Sequence, residues 1–548
     1  MPSGGRLIVE CLAAQGVDRV FCVPGESYLP VLDALHDSGM ETVVARQEGG
    51  AAIMAEADGK LTGRPGVCLV TRGPGATNAA AGVHVAKQDS TPMLLLVGQI
   101  GRSMRGREAF QEVDYRQTFR DLAKWVEEVD DPARIPEVMS HAVSVALSGR
   151  PGPVVLALPE DVLRAEAEVA PGPRIFPAEP APSAADAARA AEMLAAAERP
   201  VAVVGGSRWT PEAVAALARM AEAWDLPVAC SFRRQRLMDA LHPCYAGDCG
   251  LGINPALKAR IAESDLLLLI GARFSENPSQ DFTLLGMPDP GKALIHVHPG
   301  PEELGRIYAP TLPICAAPGA FLAALEAVGS PAAAGRGRAA AAHEAYLAWS
   351  EPRASGGEGG VDLGSVVGHL REAAPDAIVT NGAGNYAIWA HRFWRYRDFD
   401  AQLAPTSGSM GYGLPAAIAA ALRRPDREVI CFAGDGCLQM TLQELGTAAQ
   451  TGARLIVLVA DNRSYGTIRM HQERAYPGRV SATDLVNPDF AALARAYGLL
   501  GETVRANADF AEAFARARAA EGPALIHLHT DVERITPATT LAALRARA

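Results

Sequence analysis

Two short polar groups in the C-terminal third have the residue types and spacing to hold a divalent cation. Gly434-Asp435-Gly436 follows an apolar run, Val429–Phe432, and Asp461-Asn462 follows a second run, Leu455–Ala460. Asp435 and Asn462 are 27 residues apart, the length of one strand–helix–strand unit, so both emerge at carboxyl ends of parallel strands, where open α/β sheets bind ligands. A carboxylate, an amide and a nearby backbone carbonyl are hard oxygen donors of the kind Mg²⁺ prefers, and diphosphate oxygens would complete its octahedron. Gly434 and Gly436 let the backbone approach a phosphate, with a helix expected from near Leu442 close behind. The tripeptide alone would be only a turn. The second polar pair at this spacing gives it meaning.

The elements that must position these residues are parallel strands alternating with amphipathic helices. The chain divides into three blocks at composition shifts. In the first, apolar runs fall at Arg19–Val23, Thr42–Ala45, Val67–Thr71 and Met93–Val97, and the block closes after the strand-like Gly152–Leu158. A proline-rich linker, Val169–Pro182, resists helix and central strand alike. The second block opens with a helical segment, Ala184–Ala197, and carries runs at Val201–Val204, Pro227–Ala229, Leu266–Ile270 and Leu294–Val297. Small-residue stretches at Gly329–Arg338 and Ser355–Gly360 flank a helical connector. The third block has runs at Ala377–Thr380, Val429–Phe432, Leu455–Ala460 and Leu525–His527. No fixed-period repeat is visible.

Composition narrows the class. With 548 residues the chain is long enough for about three domains. Hydrophobic residues at 49% and charged residues at 21% are globular values. The net charge of −11, with no basic stripe, argues against nucleic acid as a partner. Apolar runs are strand-sized, too short to span a membrane, and the N-terminus has no secretory apolar core. Nine cysteines without a CxxC pair suit reduced thiols in the cytoplasm.

On these motifs the chain resembles the thiamine-diphosphate enzymes of the acetolactate synthase and 2-keto acid decarboxylase superfamily, over nearly its whole length. The resemblance implies an α/β fold of three domains. A pyrimidine-binding domain (1–168) and a diphosphate-binding domain (361–548), both with parallel sheets, flank a doubly wound central domain (184–328). Asp435, the Asn462 side chain and the Ser464 carbonyl take the places of the Mg²⁺ ligands, with Tyr465 and Gly466 following them against the cofactor. The family usually has Asn-Asn where this chain has Asp461-Asn462. In Arg46–Ala52, Glu48 is similar to the glutamate that activates the cofactor by hydrogen-bonding its aminopyrimidine, general acid/base work in a poorly solvated cleft. Read without the resemblance, Glu48 is a carboxylate in the first turn of a helix entered at Gly49, favoured by the helix dipole. Ser407–Pro415 resembles the loop that bends the cofactor, with Met410 as apolar buttress and the Gly408 carbonyl as acceptor. Asn381–Tyr386 resembles the second diphosphate loop, so Gly384 and Asn385 join the binding set together with Asn78 from the first block. The family's active sites lie between the first domain of one subunit and the third of another, which implies a homodimer or homotetramer.

The reaction turns on what happens to the acyl unit once a 2-keto acid has lost CO₂: protonation releases an aldehyde, and addition to a second carbonyl forms a C–C bond. Decarboxylases of this superfamily use active-site histidines, but the corresponding positions here are Glu26 and Thr71. A proton-poor pocket favours carboligation. Glu108–Asp114 is similar to the acetolactate synthase segment whose Phe and Gln line the active site, which assigns Phe110 and Gln111 catalytic positions. Arg273, His471 and Ser27 are the substrate candidates. Glu160 stands where many relatives have Lys, and His471 stands where the anabolic enzymes have the Trp that selects the second keto acid. The expected activity is therefore acetolactate-synthase-like transfer from a pyruvate-like donor to a carbonyl acceptor. The rivals are a 2-keto acid decarboxylase or acyloin lyase, and an inactive partner subunit. Flavin (FAD) is a doubtful further cofactor: Val204-Gly205-Gly206-Ser207 lacks a GxGxxG pattern, and His298 stands where an acid would meet a ribose.

Overall fold

The computed structural model describes residues 1–330, 337–352 and 359–546. The two small-residue stretches expected as a boundary fall largely outside these residues; helix Arg338–Trp349 lies between them. The chain forms three six-stranded sheets in which every named pairing is parallel.

The first sheet comprises β1 (Arg19–Cys22), β2 (Glu41–Val44), β3 (Gly66–Val70), β4 (Met93–Gln99), β5 (Trp125–Glu128) and β6 (Pro153–Pro159), ordered β2-β1-β3-β4-β6-β5. The second comprises β7 (Pro200–Val204), β8 (Val228–Ser231), β9 (Tyr245–Cys249), β10 (Leu266–Ile270), β11 (Ala293–His298) and β12 (Leu312–Cys315), ordered β12-β11-β10-β7-β8-β9. The third comprises β13 (Ile378–Asn381), β14 (Gln402–Leu403), β15 (Val429–Gly434), β16 (Ile456–Asp461), β17 (Leu500–Val504) and β18 (Ala524–His529), ordered β14-β13-β15-β16-β18-β17. The first and third sheets thus share one topology. The middle one has the doubly wound order of dinucleotide folds. That the outer sheets repeat one another is invisible in the sequence, because the repeat is one of connectivity and not of residues.

Central strands such as β10, Leu266–Ile270, are buried along their whole length, as parallel strands covered on both faces must be. One apolar core continues from the first sheet to the third. Helices Glu48–Thr62 and Pro74–Asp89 cover one face of the first sheet and pack with helix Gly413–Arg423 of the third.

Local signals set the helix ends that matter. The Gln47 side chain accepts from Gly49 N (2.6 Å) and Gly50 N (3.2 Å), so helix Glu48–Thr62 starts one residue before the expected Gly49. It stops at Gly63, whose φ of +67° suits glycine. The helix expected from near Leu442 begins there, and a short helix, Asp435–Leu438, precedes it, starting at the aspartate itself. A 3₁₀ turn, Leu442–Glu444, and helix Leu445–Thr451 follow.

Candidate active site

The strand order of the third sheet reverses between β13 and β15, and the carboxyl ends of β13, β15 and β16 face one cleft. Gly382–Asn385 leaves β13, Gly434-Asp435-Gly436 ends β15, and Asp461–Ser464 ends β16. A cavity of about 260 Å³ sits over these ends. Gly384, Asn385, Gly408, Met410, Gly434, Asp435, Gly436, Asn462, Ser464, Tyr465 and Gly466 all line it. The third-block cofactor and metal residues read from the sequence are therefore brought together. The glycines are needed sterically: a Cβ at Gly434 would lie 2.7 Å from the Tyr386 ring, and one at Gly436 2.6 Å from the Tyr465 ring.

Asp435 is 3% exposed. Its Oδ1 accepts from Gly436 N (2.9 Å) and its Oδ2 from Asn487 Nδ2 (2.8 Å). Burial pushes this carboxyl above the usual carboxylate range, and the nearby Asp461 adds to the push. Asp461 is also buried, but hydrogen bonds from His527 and Asn487 outweigh burial and hold it below that range. Asp435, the Asn462 amide oxygen and the Ser464 carbonyl, all around this one cavity, form an oxygen-donor set that fits Mg²⁺. The loop holding the third donor is pinned on both sides: Tyr465 N donates to Thr483 O and Leu485 N to Arg463 O, each at 2.8 Å. Asn385 is fixed by Thr467 Oγ1 (2.9 Å) and by its own donation to Ile535 O (3.1 Å).

Sequence reasoning missed Asn487, whose Nδ2 donates at 2.8 Å to both Asp435 and Asp461. The only local signal was Asn487-Pro488, which reads as a turn. It also missed Cys437, whose Sγ accepts from Gly411 N (3.2 Å) and Tyr386 OH (3.1 Å) under the Met410 loop.

The first-block candidates do not line this cavity; they form a separate cluster at the ends of β1 and β3. Asn78 Nδ2 donates to Glu48 Oε2 at 2.9 Å. Phe110 is 72% exposed and Gln111 adopts φ +65°. Arg72 forks between Glu26 (3.0 Å) and Glu160 and also donates to Phe110 O (3.2 Å), so this guanidinium is fully engaged. Ser27 is a correction: it is fully buried, its hydroxyl 2.8 Å from Thr71 Oγ1, and cannot touch a substrate. Arg273 lies elsewhere, in a crevice of the middle sheet, donating to Gln88 O at 2.8 Å, and burial pulls its pKa down to about 10. His471 is exposed on helix Gly466–Ala475 and does not line the cavity.

Two outer sheets of one topology, a doubly wound centre and an oxygen-donor cage over glycine turns define a class of α/β enzyme that holds a diphosphate-bearing cofactor. The chain belongs to the thiamine pyrophosphate enzyme family. Residues 2–118 match its N-terminal TPP binding domain, 187–325 its central domain and 382–528 its C-terminal TPP binding domain. The chain is 32% identical to the acetolactate synthase isozyme 2 large subunit of Escherichia coli K12 over 539 residues, 98% of this chain and 97% of that one. It is 33% identical to the acetolactate synthase large subunit of Parasynechococcus marenigrum over 547 residues, 96% of this chain and 87% of the relative. Against the isozyme 1 large subunit of Escherichia coli K12 the identity is 33%, covering 97% and 94%. It is a thiamine-pyrophosphate-dependent enzyme of the acetolactate synthase type.

Proposed function

We propose that this enzyme decarboxylates a pyruvate-like 2-keto acid and transfers the acyl unit to a second carbonyl, at a site completed by another copy of the chain. The observation that carries the reading is the split itself. Asp435, Asn462 and Ser464 converge on the third-sheet cavity, while Glu48 with Asn78 stands in a half-exposed cluster outside it. With domain limits at 1–168, 184–328 and 361–548, the first domain of one subunit would cover the third domain of its partner, in a homodimer or a dimer of dimers.

When bound, thiamine diphosphate supplies an acyl-anion equivalent. The chain's own residues do the rest. Asp435, Asn462 and the Ser464 carbonyl would hold Mg²⁺ against the diphosphate, and the backbone near Gly434 and Gly384 lines the same cavity. Met410 and the Gly408 carbonyl, which line the cavity, would buttress and hydrogen-bond the cofactor's rings. Asn78 Nδ2 occupies Glu48 Oε2, so Oε1 would be the oxygen left to hydrogen-bond the aminopyrimidine. Phe110, 72% exposed in the single chain, would be free to reach the cleft of a partner copy together with Gln111. No histidine stands at positions 26 or 71 to deliver a proton, and this favours transfer over aldehyde release.

For flavin, the central turn offers no GxGxxG pattern, while a cavity of about 780 Å³ lined by Gly206, Ser207, Arg208 and Arg234 opens beside it. Unpaired cysteines support a cytoplasmic site of action, and no helix of the described residues is long and apolar enough to cross a membrane.

A gas-tight assay with pyruvate tests the reaction. CO₂ with acetolactate is expected; CO₂ with free acetaldehyde would replace transfer by simple decarboxylation. Glu48→Gln should leave cofactor binding nearly unchanged and abolish hydrogen–deuterium exchange at the cofactor's C2. Exchange at the wild-type rate in that variant would remove Glu48 from the mechanism.

A further inference from the structure

Beside the proposed Mg²⁺ cage lies a second set of metal-binding side chains: Asp461 at the end of β16, with His527 and His529 on β18. Asp461 pairs in register with His529, and His527 and His529 are two residues apart, so all three reach the same side of the sheet. One ligand atom from each lies within 4.8 Å of the others. Asp461 is 4% and His527 3% exposed, while His529 is half-buried at the rim. The imidazoles sit 4.3 Å apart at 32°. Asn487 stands between this group and Asp435, so the two cages share a wall and no ligand.

The hydrogen bonds of His527 are the second, independent observation. Its Nε2 lies 2.8 Å from Asp461 Oδ2. Its buried Nδ1 has no hydrogen-bond partner, although the Asp489 Oδ1 atom is 3.8 Å away. If Nε2 carries the proton, the Nδ1 lone pair faces a carboxylate across an unfilled gap. If Nε2 instead binds an ion shared with Asp461, the proton moves to Nδ1 and points at Asp489. That is the carboxylate–histidine–metal arrangement in which an outer carboxylate fixes the tautomer of a ligating ring. Two atoms bound at about 2.0–2.2 Å to one tetrahedral ion stand roughly 3.3–3.6 Å apart, so binding would replace this 2.8 Å hydrogen bond and widen the gap by about half an ångström. Edge-on contact with Phe490 (5.2 Å) holds the ring in place.

We propose that Asp461, His527 and His529 bind a zinc-class divalent ion, with a fourth position open to water beside His529. Two imidazoles with one carboxylate suit zinc or a neighbouring transition ion better than Mg²⁺. This site is independent of the proposed reaction.

The test uses the full-length protein, stripped with chelator and then saturated with Mg²⁺ and thiamine diphosphate so that the cofactor cage is filled. Zn²⁺ is titrated against a chromophoric competitor. The expected result is one zinc per chain that excess Mg²⁺ does not displace. Asp489→Asn should weaken it by about 10- to 100-fold, as loss of an outer carboxylate does, and His529→Ala by more. His529→Gln keeps the size of the side chain and should behave like His529→Ala, while urea unfolding confirms that both variants fold. Zinc uptake at wild-type affinity in both His529 variants, or no zinc beyond the Mg²⁺ already bound, would overturn the site. Anomalous scattering at the zinc edge gives its position directly, and a peak anywhere else overturns it equally.

Discussion

Asn487 carries two acceptors on one amide group. Its Nδ2 donates to Asp435 and to Asp461 at 2.8 Å each, which keeps two buried carboxylates from facing one another bare. Hydrogen bonds to charged groups contribute about 1.5–3 kcal/mol. Asn487→Ala should therefore lower stability by about that much without Mg²⁺ and the cofactor. Saturating Mg²⁺ and cofactor should recover part of the loss, since an ion that binds only the folded state stabilises it. Urea unfolding with and without both ligands measures the difference. An equal deficit in the two conditions would show that Asn487 has no bearing on the ion cage.

At the level of elements, the Glu48–Asn78 bond depends on how closely two helices approach. Glu48 and Ala52 lie one turn apart on helix Glu48–Thr62, and Asn78 and Gly82 lie one turn apart on helix Pro74–Asp89. A Cβ at Gly82 would stand 2.4 Å from the Ala52 Cβ and 2.8 Å from its backbone carbon. In an exposed helix Gly→Ala stabilises by about 1 kcal/mol. Here Gly82→Ala should instead cost about 1–3 kcal/mol through overpacking. It should also lower activity by parting Glu48 from Asn78. Urea unfolding and the pyruvate assay read the two effects; a stabilised, fully active variant would mean that the helices can separate freely.

At the scale of the molecule, Asp89 ties the three domains together. Fully buried, it meets Lys60 (3.2 Å) of its own domain, Arg234 (3.0 Å) of the middle one, and Thr406 N (3.0 Å) and Oγ1 (2.7 Å) of the third. Burial would raise this carboxyl, but Lys60 and Arg234 overcome it and hold it well below the usual range. A depressed folded pKa gives stability that is present above the unfolded value of about 3.9 and lost as pH falls below it. Asp89→Asn, which leaves two buried cations short of a partner, should cost about 3–5 kcal/mol at pH 7. The gap to wild type should narrow as the pH drops below about 4; a pH-independent gap in denaturant titrations would contradict the ion-pair account. The shared active site is tested by mixing. Glu48→Gln and Asp435→Asn should each be inactive alone. Co-refolded in equal amounts, they should recover about a quarter of wild-type activity, because half the dimers are mixed and each carries one intact site. No recovery would place Glu48 and Asp435 of the same chain in one site.

Much of this was written in residue types and spacing. The central strands, and the polar residues that leave their carboxyl ends to meet at one cavity, were legible because buried parallel strands are continuous apolar runs. The strands that escaped notice, β5, β9, β12, β14 and β17, are all edges. An edge strand is paired on one side only and needs no unbroken apolar run: β14 has two residues, and β17 is half-exposed along most of its length. Tertiary structure alone decided that Asn487 joins two carboxylates, that Ser27 is sealed against Thr71, and that Glu48 lies away from Asp435. Spacing along a chain fixes which strand end a side chain leaves from; which other ends it meets depends on how sheets and helices pack.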